Sequence, residues 1–381
     1  MQSGTRVIHA GLPKPSPGAP FLPGPTFASV YHAAGDPGSV PFTYGRFHNP
    51  TWTFYEAALT ELEGGPALAF ASGMAAVAAV FGVALRPGDV VVIPSDSYYT
   101  MRMLATGYFT EMGVSVRMAP TADNAQEQHL EGAKLLWIES PSNPGLDVCD
   151  IAALVAAARA RGVLVAVDNT TATVLGQRPL ALGADFSLAS DTKALSGHGD
   201  IVLGHVAVND PAWAAKLHTW RNQIGAVPGP MEVWLAHRSL ATLDLRLTRQ
   251  CENASAVATF LLGRSDVAGV RYPGLPHDRA HGVAIRQMQR TGPVVSFVLG
   301  SRDRAERFLA ACRLVSEATS FGGLHTTAER RARWGGDAIP EGFIRMNVGC
   351  EDAADLLADL AQALDQAASG TTGTGLRVES A

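Results

Sequence analysis

Six short, almost wholly apolar runs punctuate the chain, at residues 67–70, 90–93, 135–138, 164–167, 186–189 and 205–208. Polar turns follow them, and helix-like stretches such as 151–160, rich in alanine and leucine and stopped by Gly162, lie between them. A run that is apolar at successive positions predicts a strand covered on both faces. Strands that alternate with helices predict a parallel sheet with crossover helices. The most apolar stretch, 74–85, stops at Pro87-Gly88-Asp89 and is too short to span a bilayer, so it predicts a buried helix.

After about residue 230 the pattern changes. It predicts one long helix over 231–262, a turn at Pro273-Gly274, a strand over 294–299 and a final amphipathic helix over 352–367. That is the signature of a second, α+β domain. Residues 11–41 hold eight prolines with interspersed glycines, which excludes a regular helix or a central strand. The stretch is either a disordered leader or an arm that packs on a neighbouring subunit. The expected organisation is an arm over 1–45, a large α/β domain over 46–235, an α+β domain over 236–368 and a flexible glycine- and threonine-rich tail over 369–381.

Composition narrows the function. Of 381 residues, 47% are hydrophobic and 17% charged, enough for a generous core. A net charge of -5 offers no basic face to nucleic acid or an anionic membrane, so small-molecule chemistry is expected. The N-terminus lacks the regions of a signal peptide. The four cysteines, Cys149, Cys251, Cys312 and Cys350, show no CxxC spacing, which predicts free thiols in the cytoplasm. There is no Walker loop and no GxGxxG after a strand. His198 and His205 lie near Asp200, but the glycines around His198 suggest a structural loop, not a zinc site.

In parallel sheets ligands sit at the carboxyl ends of the strands, so the residues there carry the chemistry. The first run ends in Ser72-Gly73-Met74, a small strand-to-helix turn whose N–H groups could bind phosphate. The second ends near Tyr98 and Tyr99, which could stack on a flat ring or merely cover the core rim. The third leads to Asn143 between Pro141 and Pro144, a rigid loop with a donor at its centre. The fourth ends at Asp168, which needs a cationic or N–H partner or caps a helix. The fifth ends in Ser190, Asp191, Thr192 and Lys193. A desolvated lysine escapes its charge by forming an imine with an aldehyde, although a lone exposed lysine would have no such role. Asp168 and Lys193 are about one crossover unit apart, so adjacent strands could present both to one ligand. Together the strand ends supply what a pyridoxal phosphate site needs: an imine lysine, an acid for the ring nitrogen, phosphate donors and an aromatic face.

With these motifs the chain resembles the Cys/Met-metabolism (transsulfuration) branch of the fold-type I pyridoxal-phosphate enzymes. The resemblance runs from Thr5-Arg6-Val7-Ile8-His9-Ala10-Gly11 to the last helix and is most specific from Asp185 through Lys193 to Gly197-His198-Gly199-Asp200. It implies an α/β fold with a mostly parallel seven-stranded sheet and a smaller C-terminal α+β domain. It implies that Lys193 holds pyridoxal 5'-phosphate, that Asp168 pairs with the ring nitrogen, and that Ser72, Gly73, Met74, Ser190 and Thr192 bind the phosphate. Tyr44 and Arg46, in Tyr44-Gly45-Arg46-Phe47-His48-Asn49-Pro50-Thr51, look like the pair that reaches the phosphate of an adjacent subunit, which implies a dimer with shared active sites and, as is usual in the family, a tetramer. Asn143 is implied at the ring hydroxyl, Arg345 at the substrate carboxylate and Ser320 as a backbone contact.

The chain departs from the family in three places. Tyr98-Tyr99-Thr100 is one residue shorter than the usual Tyr-Gly-Gly-Thr, so ring stacking is assigned to Tyr98 with Tyr99 in competition. Thr319 stands where cystathionine γ-lyases often carry an acidic residue. Ser320-Phe321-Gly322-Gly323 has phenylalanine where leucine is favoured. The expected reaction is γ-elimination of cystathionine to cysteine, 2-oxobutanoate and ammonia. Cystathionine γ-synthase, cystathionine β-lyase and methionine γ-lyase activities are the alternatives on the same scaffold, and a catalytically silent cofactor-binding protein is the remote one.

Overall fold

The computed structural model describes residues 1–369. All but the first residue of the tail expected at 369–381 lie outside the described residues. All six apolar runs form strands: β1 (Ala67–Phe70), β2 (Val90–Pro94), β4 (Leu135–Glu139), β5 (Leu164–Asp168), β6 (Phe186–Ala189) and β7 (Gly204–Val208). A seventh, β3 (Ser115–Ala119), was not expected, because it is the sheet edge and is mostly accessible, so its sequence is mixed. The sheet order is β1-β7-β6-β5-β4-β2-β3.

Only β7 runs against the rest, antiparallel to both β1 and β6, so the sheet is mostly parallel. No crossover helix separates Ala189 from Gly204, so the chain simply turns back. The other five strands run in the same direction as β1, in the mostly parallel arrangement implied by the resemblance. Their carboxyl ends therefore share one edge.

Helices cover both faces. Gly73–Ala84 is a buried helix on one face, and Ile151–Arg159, capped by Asp150 Oδ1 at 2.9 Å from Ala153 N, lies on the other. A second sheet of five strands follows: β8 (Ala268–Arg271), β9 (Val294–Val298), β10 (Ser316–Glu317), β11 (Thr327–Arg330) and β12 (Phe343–Asn347), in the order β10-β11-β12-β9-β8. The last helix, Ala353–Ser369, packs its leucines into the core behind this sheet.

The single helix expected over 231–262 is two helices, Pro230–Leu240 and Leu243–Leu262. The break has a local cause. Ser239 O, which would accept the next helical bond, is taken instead by Thr242 N, Thr242 Oγ1 and Arg246 Nη2. The proline-rich segment 11–41 contains one short 3₁₀ turn, Pro37–Ser39, and a single antiparallel bridge from Val30 to Tyr44, and leaves Phe21, Phe27 and Val30 exposed.

Candidate active site

The shared strand edge and the second sheet enclose a cavity of about 290 Å³. Ser72, Gly73, Met74, Tyr98, Asn143, Asp168, Ser190, Thr192, Lys193, Thr319, Ser320 and Arg345 all line it. Tyr99, Tyr44 and Arg46 do not. Tyr99 turns away, its ring against Arg102 and beside Gly336, while Tyr98 faces the cavity. Arg46 bonds Asn222 O and lies over Phe47, and Tyr44 is exposed.

The turn after β1 has the geometry of an anion cradle. Ser72 caps the helix Gly73–Ala84 by accepting from Ala75 N at 3.0 Å, which leaves the earlier N–H groups free at the positive end of the helix dipole. A Cβ on Gly73 would stand 2.7 Å from Ser190 Cβ, so glycine is required for this turn to approach the turn after β6. Ser190 N donates to Thr170 Oγ1 at 2.8 Å. The Thr192 hydroxyl is engaged twice with the backbone of Leu203, donating to its O at 3.1 Å and accepting from its N at 3.0 Å.

Asp168 ends β5 and is buried. It caps no helix; its Oδ1 accepts from Thr170 N at 2.9 Å. Burial raises its pKa, while hydrogen bonds from Thr170 and the charge of His205 oppose the rise. Glu139, its neighbour across β4, accepts from Tyr98 N at 2.7 Å and so tethers the Tyr98 backbone. Burial and the adjacent Asp168 push the Glu139 carboxyl well up.

Lys193 is half-buried, and its Nζ lies 2.6 Å from Ser320 Oγ. Burial and the Arg345 charge lower its pKa to about 8. Ser320 has φ +86°, a conformation that costs a non-glycine residue energy and concentrates at functional sites. Phe321 stands between the two cations, with Lys193 Nζ 5.3 Å and Arg345 Cζ 5.4 Å from its ring centroid. Arg345, on β12, donates to Asn143 Oδ1 at 2.7 Å and pairs with Glu329, its cross-strand neighbour on β11. Burial lowers its pKa to about 10.

Sequence reasoning missed the second layer. Asp191 accepts from Tyr55 OH at 2.8 Å and is bonded to His205 Nδ1 at 2.6 Å; His205 Nε2 is 3.1 Å from Glu63. All four are buried. Burial alone would lower the His205 pKa, but Asp191 and Glu63 raise it to about 10. A histidine inside the apolar run 205–208 was the available signal. Arg331, which lines the cavity, and Glu329, which backs Arg345, were missed as well, since nothing near them in sequence marks them. Among the described residues no cluster of His, Cys, Asp and Glu suits a metal ion, and all four cysteines are free.

The cavity thus brings together a lysine amine, a buried carboxylate, a helix start with free N–H groups and a fixed guanidinium. A flat cationic heterocycle with an aldehyde and a phosphate fits that set, and the close approach that Gly73 permits sets Ser190 beside the free N–H groups that would meet the phosphate.

Comparison with known proteins agrees. A family model described as Cys/Met metabolism PLP-dependent enzyme matches residues 19–365. A Streptomyces coelicolor protein named "Putative cystathionine gamma-lyase" is 58% identical, over 95% of this chain and 93% of its own length. The cystathionine gamma-synthase of Mycobacterium tuberculosis is 41% identical over 94% of this chain and 96% of its own. The crystal structure of cystathionine gamma synthase from Xanthomonas oryzae pv. oryzae in complex with cystathionine superposes with a TM-score of 0.92 at 32% identity, covering 97% of this chain and all of that one.

Proposed function

The chain belongs to the Cys/Met metabolism PLP-dependent enzymes, and from that premise we propose that it cleaves cystathionine by γ-elimination to cysteine, 2-oxobutanoate and ammonia. The observation that carries this reading is a lysine with its pKa lowered to about 8 in one cavity with a buried carboxylate and a buried arginine. The 58% identity to the protein named "Putative cystathionine gamma-lyase" supports it over the other reactions of the family.

Pyridoxal 5'-phosphate, when bound, supplies an aldehyde to join to amines and a ring that draws electrons from the substrate's Cα. Lys193 would hold it through Nζ, Asp168 would keep its ring nitrogen protonated, and the N–H groups of Gly73 and Met74, with Ser190, would hold the phosphate. The Thr192 hydroxyl joins them only by giving up its bond to Leu203 O. Tyr98 would cover the ring face. Arg345 binds the α-carboxylate with its planar fork, held in place by Glu329 and Asn143. That fixes Cα within reach of Lys193, which removes the Cα proton as a neutral amine. Burial favours the neutral form. Once it has passed that first proton on, the same amine can take a second from Cβ, which the loss of the γ-thiol requires, with Ser320 Oγ at 2.6 Å orienting it. Tyr98 takes up the ammonium proton of the incoming substrate or assists the departing thiol.

Tyr44 and Arg46 stand outside their own cavity and near the exposed apolar side chains of the 11–41 segment, which supports an arm over 1–45 that completes the site of a second copy in a dimer, with a tetramer as the full assembly. No helix among the described residues is long and apolar enough to cross a membrane, and free thiols suit the cytoplasm. The test is product analysis. Purified protein is incubated with cystathionine, homocysteine, methionine, and O-succinylhomoserine plus cysteine. 2-Oxobutanoate and cysteine from cystathionine support the proposal. Pyruvate and homocysteine would make it a β-lyase, methanethiol from methionine a γ-lyase of methionine, and net cystathionine synthesis a γ-synthase.

A further inference from the structure

Arg345 is not the only buried guanidinium on the cavity wall. Arg331, immediately after β11, is 7% exposed and also lines the cavity. Its Nε is 2.9 Å from Asp337 Oδ2, and its Nη1 is 3.4 Å from Glu329 Oε1, the oxygen that Arg345 also grips. Its Nη2 takes part in neither ion pair. Neither carboxylate needs Arg331 for neutrality: Asp337 already pairs with Arg102, and Glu329 with Arg345. Burying a further guanidinium is costly unless something uses it. Asp337 and Glu329 hold Nε and Nη1, and Nη2 remains for an anion.

We propose that Arg331 selects substrates carrying a second carboxylate, by binding the distal carboxylate of the thioether while Arg345 binds the α-carboxylate. This rests on the thioether-cleaving reaction above and names the group of the leaving half that the site recognises. The shared carboxylate, Glu329, sets the spacing of the two guanidiniums, and Asp337 aims the second one. A neutral thioether such as methionine offers nothing to Arg331 and leaves a buried charge unanswered, so the wall acts against such substrates as well as for the diacids.

The test compares S-(2-carboxyethyl)-L-homocysteine with S-propyl-L-homocysteine, alongside L-cystathionine, on holoenzyme. A charged hydrogen bond contributes about 1.5–3 kcal/mol, so the wild type should favour the carboxyethyl compound by about 10- to 100-fold in kcat/KM, chiefly through KM. R331M should collapse that ratio to within about threefold, and R331K should fall between, because it keeps the charge without the fork. The cofactor absorbance and the Tm of each variant show whether it is folded and loaded. A wild-type ratio near one, or a ratio unchanged in R331M, overturns the assignment. If the wild type turns over none of these thioethers, it is the proposed reaction that fails. The preference of Arg331 is then read from their dissociation constants, titrated through the cofactor absorbance, and equal binding of the two overturns it separately.

Discussion

The surroundings of Lys193 favour its neutral amine. Burial and the nearby Arg345 charge bring its pKa down to about 8. Only the neutral amine attacks an aldehyde, so the rate at which cofactor-free protein takes up pyridoxal 5'-phosphate should rise with pH and level off above a midpoint near 8. A midpoint near the ordinary lysine value would show that the amine is solvated and the cavity is not as described. K193A should neither form a borohydride-stable adduct nor turn over substrate, and peptide mapping of the wild-type adduct should find it at residue 193. Glu329 is the second residue whose role is fixed by charge. It is fully buried and touches Arg345, Arg331 and Trp334. E329Q strips the compensation from buried guanidiniums, a change that costs about 3 kcal/mol. Urea unfolding should register that loss, and the KM should rise as Arg345 loses its anchor.

At the scale of elements, the strand-end turns are built to approach one another. The helix after β1 begins at Gly73 because any side chain there would meet Ser190. Alanine should help the helix intrinsically, yet G73A is expected to weaken cofactor binding by about tenfold or more, since overpacking costs on the order of 1–3 kcal/mol. Equilibrium dialysis of the cofactor measures it, and unchanged affinity would show that the two turns are free to separate. Beneath those turns, β7 presents His205 between Asp191 and Glu63. Its folded pKa, about 10, is raised above the usual 6.5, so the stabilisation is complete below about 6.5 and fades as pH climbs toward 10. The wild type should therefore lose Tm between pH 7 and 9.5 by more than H205Q does, because glutamine keeps polar contacts but no titrating charge. Equal slopes would mean that His205 is neutral in the fold.

Legibility followed apolar burial, and the buried strands β11 and β12 escaped because Glu329, Arg330, Arg345 and Asn347 interrupt them. Strands β1, β2, β4, β5, β6 and β7 are covered on both faces and read as apolar runs, and their ends revealed Lys193 and Asp168. The edge strand β3 and the strands β8 and β10 expose much of their surface, so no run marks them. The Tyr55–Asp191–His205–Glu63 group joins residues up to 142 positions apart, and only the folded chain brings them together.

The whole molecule closes its site from two sheets. The first supplies Lys193 and Asp168 from β5 and β6, and the second supplies Arg345 from β12, so neither sheet alone holds both the amine and the guanidinium. Tyr44 and Arg46 belong to neither wall of their own cavity. If they serve the cavity of a second copy, one active site draws on two chains, and two different defects should complement each other. K193A lacks the amine but keeps Arg46, and R46A lacks that guanidinium but keeps Lys193. Each homodimer should be nearly inactive. When equal amounts are unfolded and refolded together, about half of the dimers are mixed, and in each of these one of the two sites joins an intact Lys193 to an intact Arg46. Activity on the order of a quarter of the wild type should then appear, tracking the mixed-dimer fraction resolved by native electrophoresis of tagged chains. Activity no greater than the sum of the parents, with mixed dimers present, would place Arg46 in its own chain's site or in no site at all.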